Sequence, residues 1–83
     1  MQKYANARQL GSIMGLSAST VRIRTKLIRE EMQNGRYNQY AIVGNQISIP
    51  VFIDAHKYHK LLEDPATHDI APPFDETLAM EYL

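Results

Sequence analysis

Arg22, Lys26 and Arg29 recur at i, i+4 and i+7, a spacing that sets three cations along one face of a helix. Such a row neutralises phosphates, and Arg22 can instead read guanine through a bidentate pair. Just upstream, Ser17, Ala18 and Ser19 occupy the start of the same helix, where backbone N–H groups also hold a phosphate. Ser19, Thr20 and Arg22 then lie where a helix entering a major groove samples base edges. Ile23 sits beyond the cationic face and needs either a cover or a contact with thymine methyls. The bland alternative is a solvated face on which Glu30 pairs with Lys26 at i, i+4.

Other chemistries find little support. The chain has no cysteine, which removes disulfides and thiolate metal sites. His56 and His59 are three apart and could share a metal, but no Cys or carboxylate completes a ligand pattern, so surface histidines are expected. Neither a nucleophile elbow nor a phosphate-binding glycine loop is present, and the expectation is a non-enzyme without cofactor or metal. Asp54 fits an N-cap better than a general base.

Eighty-three residues make one small domain with a modest core. No apolar run reaches the roughly 20 residues that span a bilayer, and no basic-then-apolar leader opens the chain. A cytoplasmic protein that does not engage membranes is expected. Net charge is zero but divided: residues 1–50 balance at +5 and residues 51–83 at −5. Such asymmetry suggests a polyanion for the basic half.

The elements that must position the cations follow from spacing and caps. Asn6 caps a first helix with Gln9 completing a capping box, and Leu10, Ile13 and Met14 recur at helical spacing up to Gly15. Leu16 fills the corner, and Ser17 or Ser19 caps the second helix, which runs to about Gln33 before Asn34-Gly35. Val21, Thr25, Ile28 and Met32 form its packing stripe, and Leu27 needs a cover. Residues 36–43 and 46–49 predict a two-stranded hairpin around Gly44-Asn45, a type II′ turn, with Ile47 and Ile49 on one face and Pro50 ending the ladder. The tip carries no cation; Asn45 and Gln46 offer hydrogen bonds only, and Arg36 is the better second phosphate contact.

A third helix begins somewhere between Pro50 and Asp54, because Val51-Phe52-Ile53 suits a strand equally, and it ends near Asp64. Residues 65–73 form a proline-containing connector, Phe74 anchors it, and Asp75 caps a last helix over 76–83 whose Leu78, Tyr82 and Leu83 must dock. The domain is thus expected over residues 1–64, with an acidic tail over 65–83. That tail either covers the chain's own apolar surface or meets the basic half of a neighbouring copy in a homo-oligomer or head-to-tail array.

Leu10-Gly11, Gly15-Leu16-Ser17, Ser19-Thr20-Val21-Arg22 and the turn Gly44-Asn45-Gln46-Ile47, in this order, resemble the small winged-helix fold of phage and transposon excisionases. They are also similar to the DNA-binding domain of MerR-type regulators. The resemblance covers about residues 6–64. It implies an α+β fold, mainly helical: a winged helix-turn-helix of three helices, a two-stranded wing and here a short C-terminal helix. It further implies duplex DNA as partner, with an architectural, excisionase-like role or small-regulator role in a phage or mobile element. Two positions depart from the family: Gly11 stands for alanine, at a helix cost of about 1 kcal/mol, and Arg24 stands for a buried aliphatic residue, its stem expected to run along the core edge. The rival class is a winged-helix protein adaptor, for example in phage assembly or DNA packaging, which the neutral charge and uncharged wing tip favour.

Overall fold

The computed structural model describes residues 3–81. In chain order they form β1 (Tyr4–Ala5), α1 (Ala7–Met14), α2 (Ala18–Asn34), β2 (Ile42–Val43), β3 (Gln46–Ser48), α3 (Ile49–Lys57), α4 (His59–Glu63), a 3-10 turn (His68–Ile70) and α5 (Glu76–Glu81). This is a mainly helical α+β fold with a small antiparallel sheet. No helix among the described residues is long and apolar enough to cross a membrane.

The capping signals near the N-terminus act as the sequence predicts. Asn6 Oδ1 accepts from the Gln9 backbone N–H at 2.8 Å, and Gln9 Oε1 accepts from the Asn6 N–H at 2.9 Å. Gly15 closes α1 at φ 67°, and Ser17, not Ser19, caps α2 by accepting from the Thr20 N–H at 3.3 Å. The Gly35 cap at φ 92° ends α2 one residue later than expected, at Asn34. Both glycines supply a left-handed conformation that a Cβ opposes. Gly11 has a different reason to lack a side chain: a Cβ there would lie 3.0 Å from the Leu16 carbonyl oxygen. The corner between α1 and α2 therefore closes around it, which offsets its poor helix propensity. Leu10 is fully buried, whereas Ile13 is 46% exposed and belongs to the surface.

The sheet has three strands, not the two expected, in the order β1-β3-β2. Tyr4 pairs with Ser48 and Ala5 with Ile47, while Ile42 pairs with Ile47 and Val43 with Gln46. A two-residue strand carries no alternation and leaves no pattern to find. Gly44 is at φ 62° and Asn45 is not at positive φ, the combination that a II′ turn requires. Residues 36–41 are not strand. The Arg36 and Tyr37 N–H groups both return to the Glu31 carbonyl, and Asn38 Oδ1 accepts from the Tyr40 N–H at 2.7 Å, so this segment folds as successive turns.

Helix α3 starts earlier than the sequence suggested. Ser48 is its N-cap and Pro50 sits in its first turn, where a missing N–H costs nothing; Pro50 opens the helix instead of ending the ladder. Ile49 is thus helical and does not share a strand face with Ile47. Asp54 lies inside the helix and is not its cap. Every residue from Ile49 to Ala55 is buried, so α3 is the central helix, packed against α2 on one side and α5 on another. A helix apolar on all sides shows no 3.6-residue period, which is why its start was ambiguous. It breaks at Tyr58, and α4 continues to Glu63.

The tail returns to the body of the same chain. Phe74 meets the Tyr37 ring edge-on with centroids 5.4 Å apart. Asp75 Oδ1 accepts from the Leu78 N–H at 3.1 Å, and α5 lays Ala79 and Met80 on α3. Leu78, expected to dock, is 60% exposed; Tyr82 and Leu83 lie outside the described residues.

Two polar contacts lock this arrangement. Buried Asp54 accepts from Arg36 Nε at 3.0 Å and Nη2 at 2.9–3.2 Å, and from the Tyr37 hydroxyl at 2.6 Å. Burial, followed by the bond to Asp54, pushes the Tyr37 hydroxyl well above its ordinary value. Burial opposes the Arg36 charge, but Tyr37 and Asp54 outweigh it and the guanidinium pKa is raised. Glu31, only 2% exposed, accepts from His68 Nε2 at 2.8 and 3.0 Å and from Asn34 Nδ2 at 3.3 Å, tying the connector to α2.

Asp54→Ala leaves Arg36 buried without its anion and should cost about 3–5 kcal/mol, read as a lower urea midpoint. An 83-residue domain holds roughly 4–12 kcal/mol in total, so this variant should lose a large share of its stability. The His68 bond to Glu31 raises the histidine pKa above 6.5; burial opposes the shift, and the Glu31 and Asp69 charges reinforce it. Its stabilisation is fully present below pH 6.5 and fades as pH rises through the raised folded value. Urea midpoints from about pH 6 to about pH 9 should fall in the native protein, and His68→Gln should remove that slope.

Candidate nucleic-acid interface

Helix α2 has two polar sides with opposite fates. Arg24, about 200° around from Arg22 at 100° per residue, turns inward. Its Nε donates to His56 Nδ1 at 3.1 Å and its Nη1 lies 3.7 Å from Glu63 Oε1. The Arg24 side chain is 11% exposed, so its stem is largely buried. Because His56 Nδ1 accepts this bond, its proton sits on Nε2. Burial, then Arg24, then His59 hold the His56 pKa below the ordinary value. His59 donates from Nδ1 to the His56 carbonyl at 2.7 Å, and the two rings stack with centroids 5.7 Å apart. That pair serves the packing of α3 on α4. The described residues contain no cluster of three or more ligands for a metal.

Arg22, Lys26 and Arg29 point the other way and are exposed. They line a groove of about 930 Å³ that runs between α1, α2 and the β2–β3 hairpin. Arg8, from the first turn of α1, faces them across it. Among the described residues, none of these four cations makes an ion pair or side-chain hydrogen bond, and the Lys26–Glu30 pairing does not form. No described residue lining the groove is acidic. Leu16, Val21, Ile42 and Ile47 give it an apolar floor, and Gly44 and Asn45 of the hairpin tip form one rim.

The structure therefore gathers four of the nominated residues, Arg22, Lys26, Arg29 and Asn45, around one groove. Ser17, Ser19, Thr20 and Ile23 lie at the start and outer side of α2, outside the groove lining. Ser17 is occupied as a cap, with its Oγ 3.1 Å from the Thr20 hydroxyl; Ser19 is exposed and Ile23 is 55% exposed. Asn45 Oδ1 accepts from Gln46 Nε2 at 3.4 Å, and its own amide nitrogen makes no hydrogen bond among the described residues. Arg36 is removed from the set. Its side chain is 10% exposed and its Nε and Nη2 donate to buried Asp54, so its charge is paired inside the fold and not presented to a phosphate. Arg8 takes its place. Its charge was visible in the sequence, but its place on the groove depends on how α1 packs on α2. No family model, no curated protein and no solved structure matches this chain.

Three unpaired cations at i, i+4 and i+7 repel one another at about 0.2–0.5 kcal/mol per pair. Replacing Arg22, Lys26 and Arg29 together by Gln should change unfolding free energy by less than about 1 kcal/mol. Arg24→Ala alone, which deletes a buried stem and two partners, should cost about 1–2 kcal/mol. Chemical denaturation of the two variants distinguishes a surface kept for binding from one kept for stability.

Proposed function

We propose that this chain is a winged helix-turn-helix protein that binds duplex DNA. Helix α2 enters the major groove, with Ser19, Thr20 and Ile23 toward base edges. Arg8, Arg22, Lys26 and Arg29 hold phosphates, and the β2–β3 hairpin serves as the wing. One observation carries this reading: four cations converge on a single groove without any internal anion. A charged row kept unpaired at an electrostatic cost is accounted for by an external polyanion. The uncharged tip limits the wing to hydrogen bonds from Asn45, so phosphate contacts come from the helices. Within this reading the role is an excisionase-like architectural factor or a small regulator of a phage or mobile element.

A second reading, a protein adaptor, draws on Tyr40 and Val43, large apolar residues exposed beside and on the hairpin. Duplex binding decides between the two. Fluorescence anisotropy with a labelled duplex of about two helical turns should show binding that weakens with salt at a log–log slope of about −3 to −4, the value for four neutralised phosphates. Arg22→Ala should lower the slope by about one. No binding at about 50 mM salt, where phosphate contacts are strong, would sink the DNA reading and favour the adaptor.

A further inference from the structure

The floor of the groove sets a second condition that a phosphate backbone does not meet. Leu16 and Ile42 are half-buried there, above buried Val21 and Ile47, and no side chain of the described residues covers them from outside. Phosphates satisfy the cationic walls but gain nothing from an apolar floor. A ligand that matches both carries acids along its flanks and at least one apolar side chain between them. The cations on α2 recur every 3–4 residues and span about 10 Å. A partner helix with acids at i, i+4 and i+7 repeats that spacing along one face, and an apolar stripe about 100° around the helix lies beside that row. The groove, at about 930 Å³, has room for the side chains of one such stripe.

We propose that this groove is also the docking site of an acidic amphipathic helix from a protein partner, which displaces DNA by occupying the same four cations. The regulatory consequence rests on the DNA reading above; the docking does not. Charge complementarity selects the partner: four cations and no acid on the groove face an acid-flanked helix, while any basic helix is repelled. Apolar contact with Leu16 and Ile42 gives the complex a component that salt does not screen. DNA lacks that component, so the two ligands differ in salt dependence at one site.

The test uses the full chain and a fluorescein-labelled helical peptide of about 15 residues, built from Glu, Ala and Leu with the leucines on one face. A second peptide of identical composition has its order scrambled so that no leucine stripe forms. The amphipathic peptide should bind about tenfold more tightly, the increment of roughly one leucine side chain leaving water. Unlabelled, it should release bound duplex. Ile42→Thr should weaken the peptide several-fold and weaken the duplex by less, whereas Arg22→Ala should weaken both. Amide NMR shifts of the unaltered protein should move at Arg8, Arg22, Ile42 and Asn45 on peptide addition, a readout that needs no variant to fold. Equal binding of the scrambled peptide, or shifts confined to other surfaces, overturns the proposal. Duplex binding without peptide binding overturns the docking and spares the DNA reading; peptide binding without duplex binding does the reverse.

Discussion

The carboxylate of Asp54 ties the central helix α3 to the turn that follows α2. It sits inside the central helix, takes both forks of Arg36 and the hydroxyl of Tyr37, and so fixes the turn that follows α2. Tyr37 in turn presents its ring edge to Phe74, which brings the tail back onto the body. A charge this deeply buried is tolerated only because its partners complete it. The same exchange explains why residues 36–41 turn instead of pairing: a strand there would carry Tyr37 and Arg36 to opposite faces, and both are needed on the side of Asp54.

With that centre fixed, the charges of α2 sort by side. Arg24 and Glu31 face inward, to His56 and Glu63 in one case and to His68 in the other. Arg22, Lys26 and Arg29 face the hairpin. Acids from the second half of the chain are partly spent where they lie, Glu63 near Arg24 and Glu76 on Lys3 at 2.8 Å. None reaches the groove. A chain of zero net charge thereby keeps a basic face, which is the arrangement that the proposed DNA interface uses.

Much of this frame was legible along the chain. Asn6, Gln9, Gly15, Ser17 and Gly35 act locally, through caps and left-handed turns, and each operates where the pattern placed it. The amphipathic period of α2 likewise set the cations apart from Val21 and Ile28. Less local features escaped. Tyr4–Ala5 forms a strand only because Ser48 and Ile47 stand beside it. The run from Ile49 to Ile53 has no polar side to betray its period, so its identity as a helix depended on what surrounds it. Arg36 looked like an exposed cation until Asp54, eighteen residues away, came within hydrogen-bonding distance.

By itself the sequence determined the caps, the turns and the row of three cations, because these depend on residues within a turn or two of one another. Tertiary structure alone decided which charges remain available. Arg36 was withdrawn by a buried carboxylate, Arg24 by a histidine and a glutamate, and Arg8 was brought to the groove by the packing of α1 on α2. Each outcome is a contact between segments distant in the chain, where burial and geometry, not spacing, set the energy of a charge.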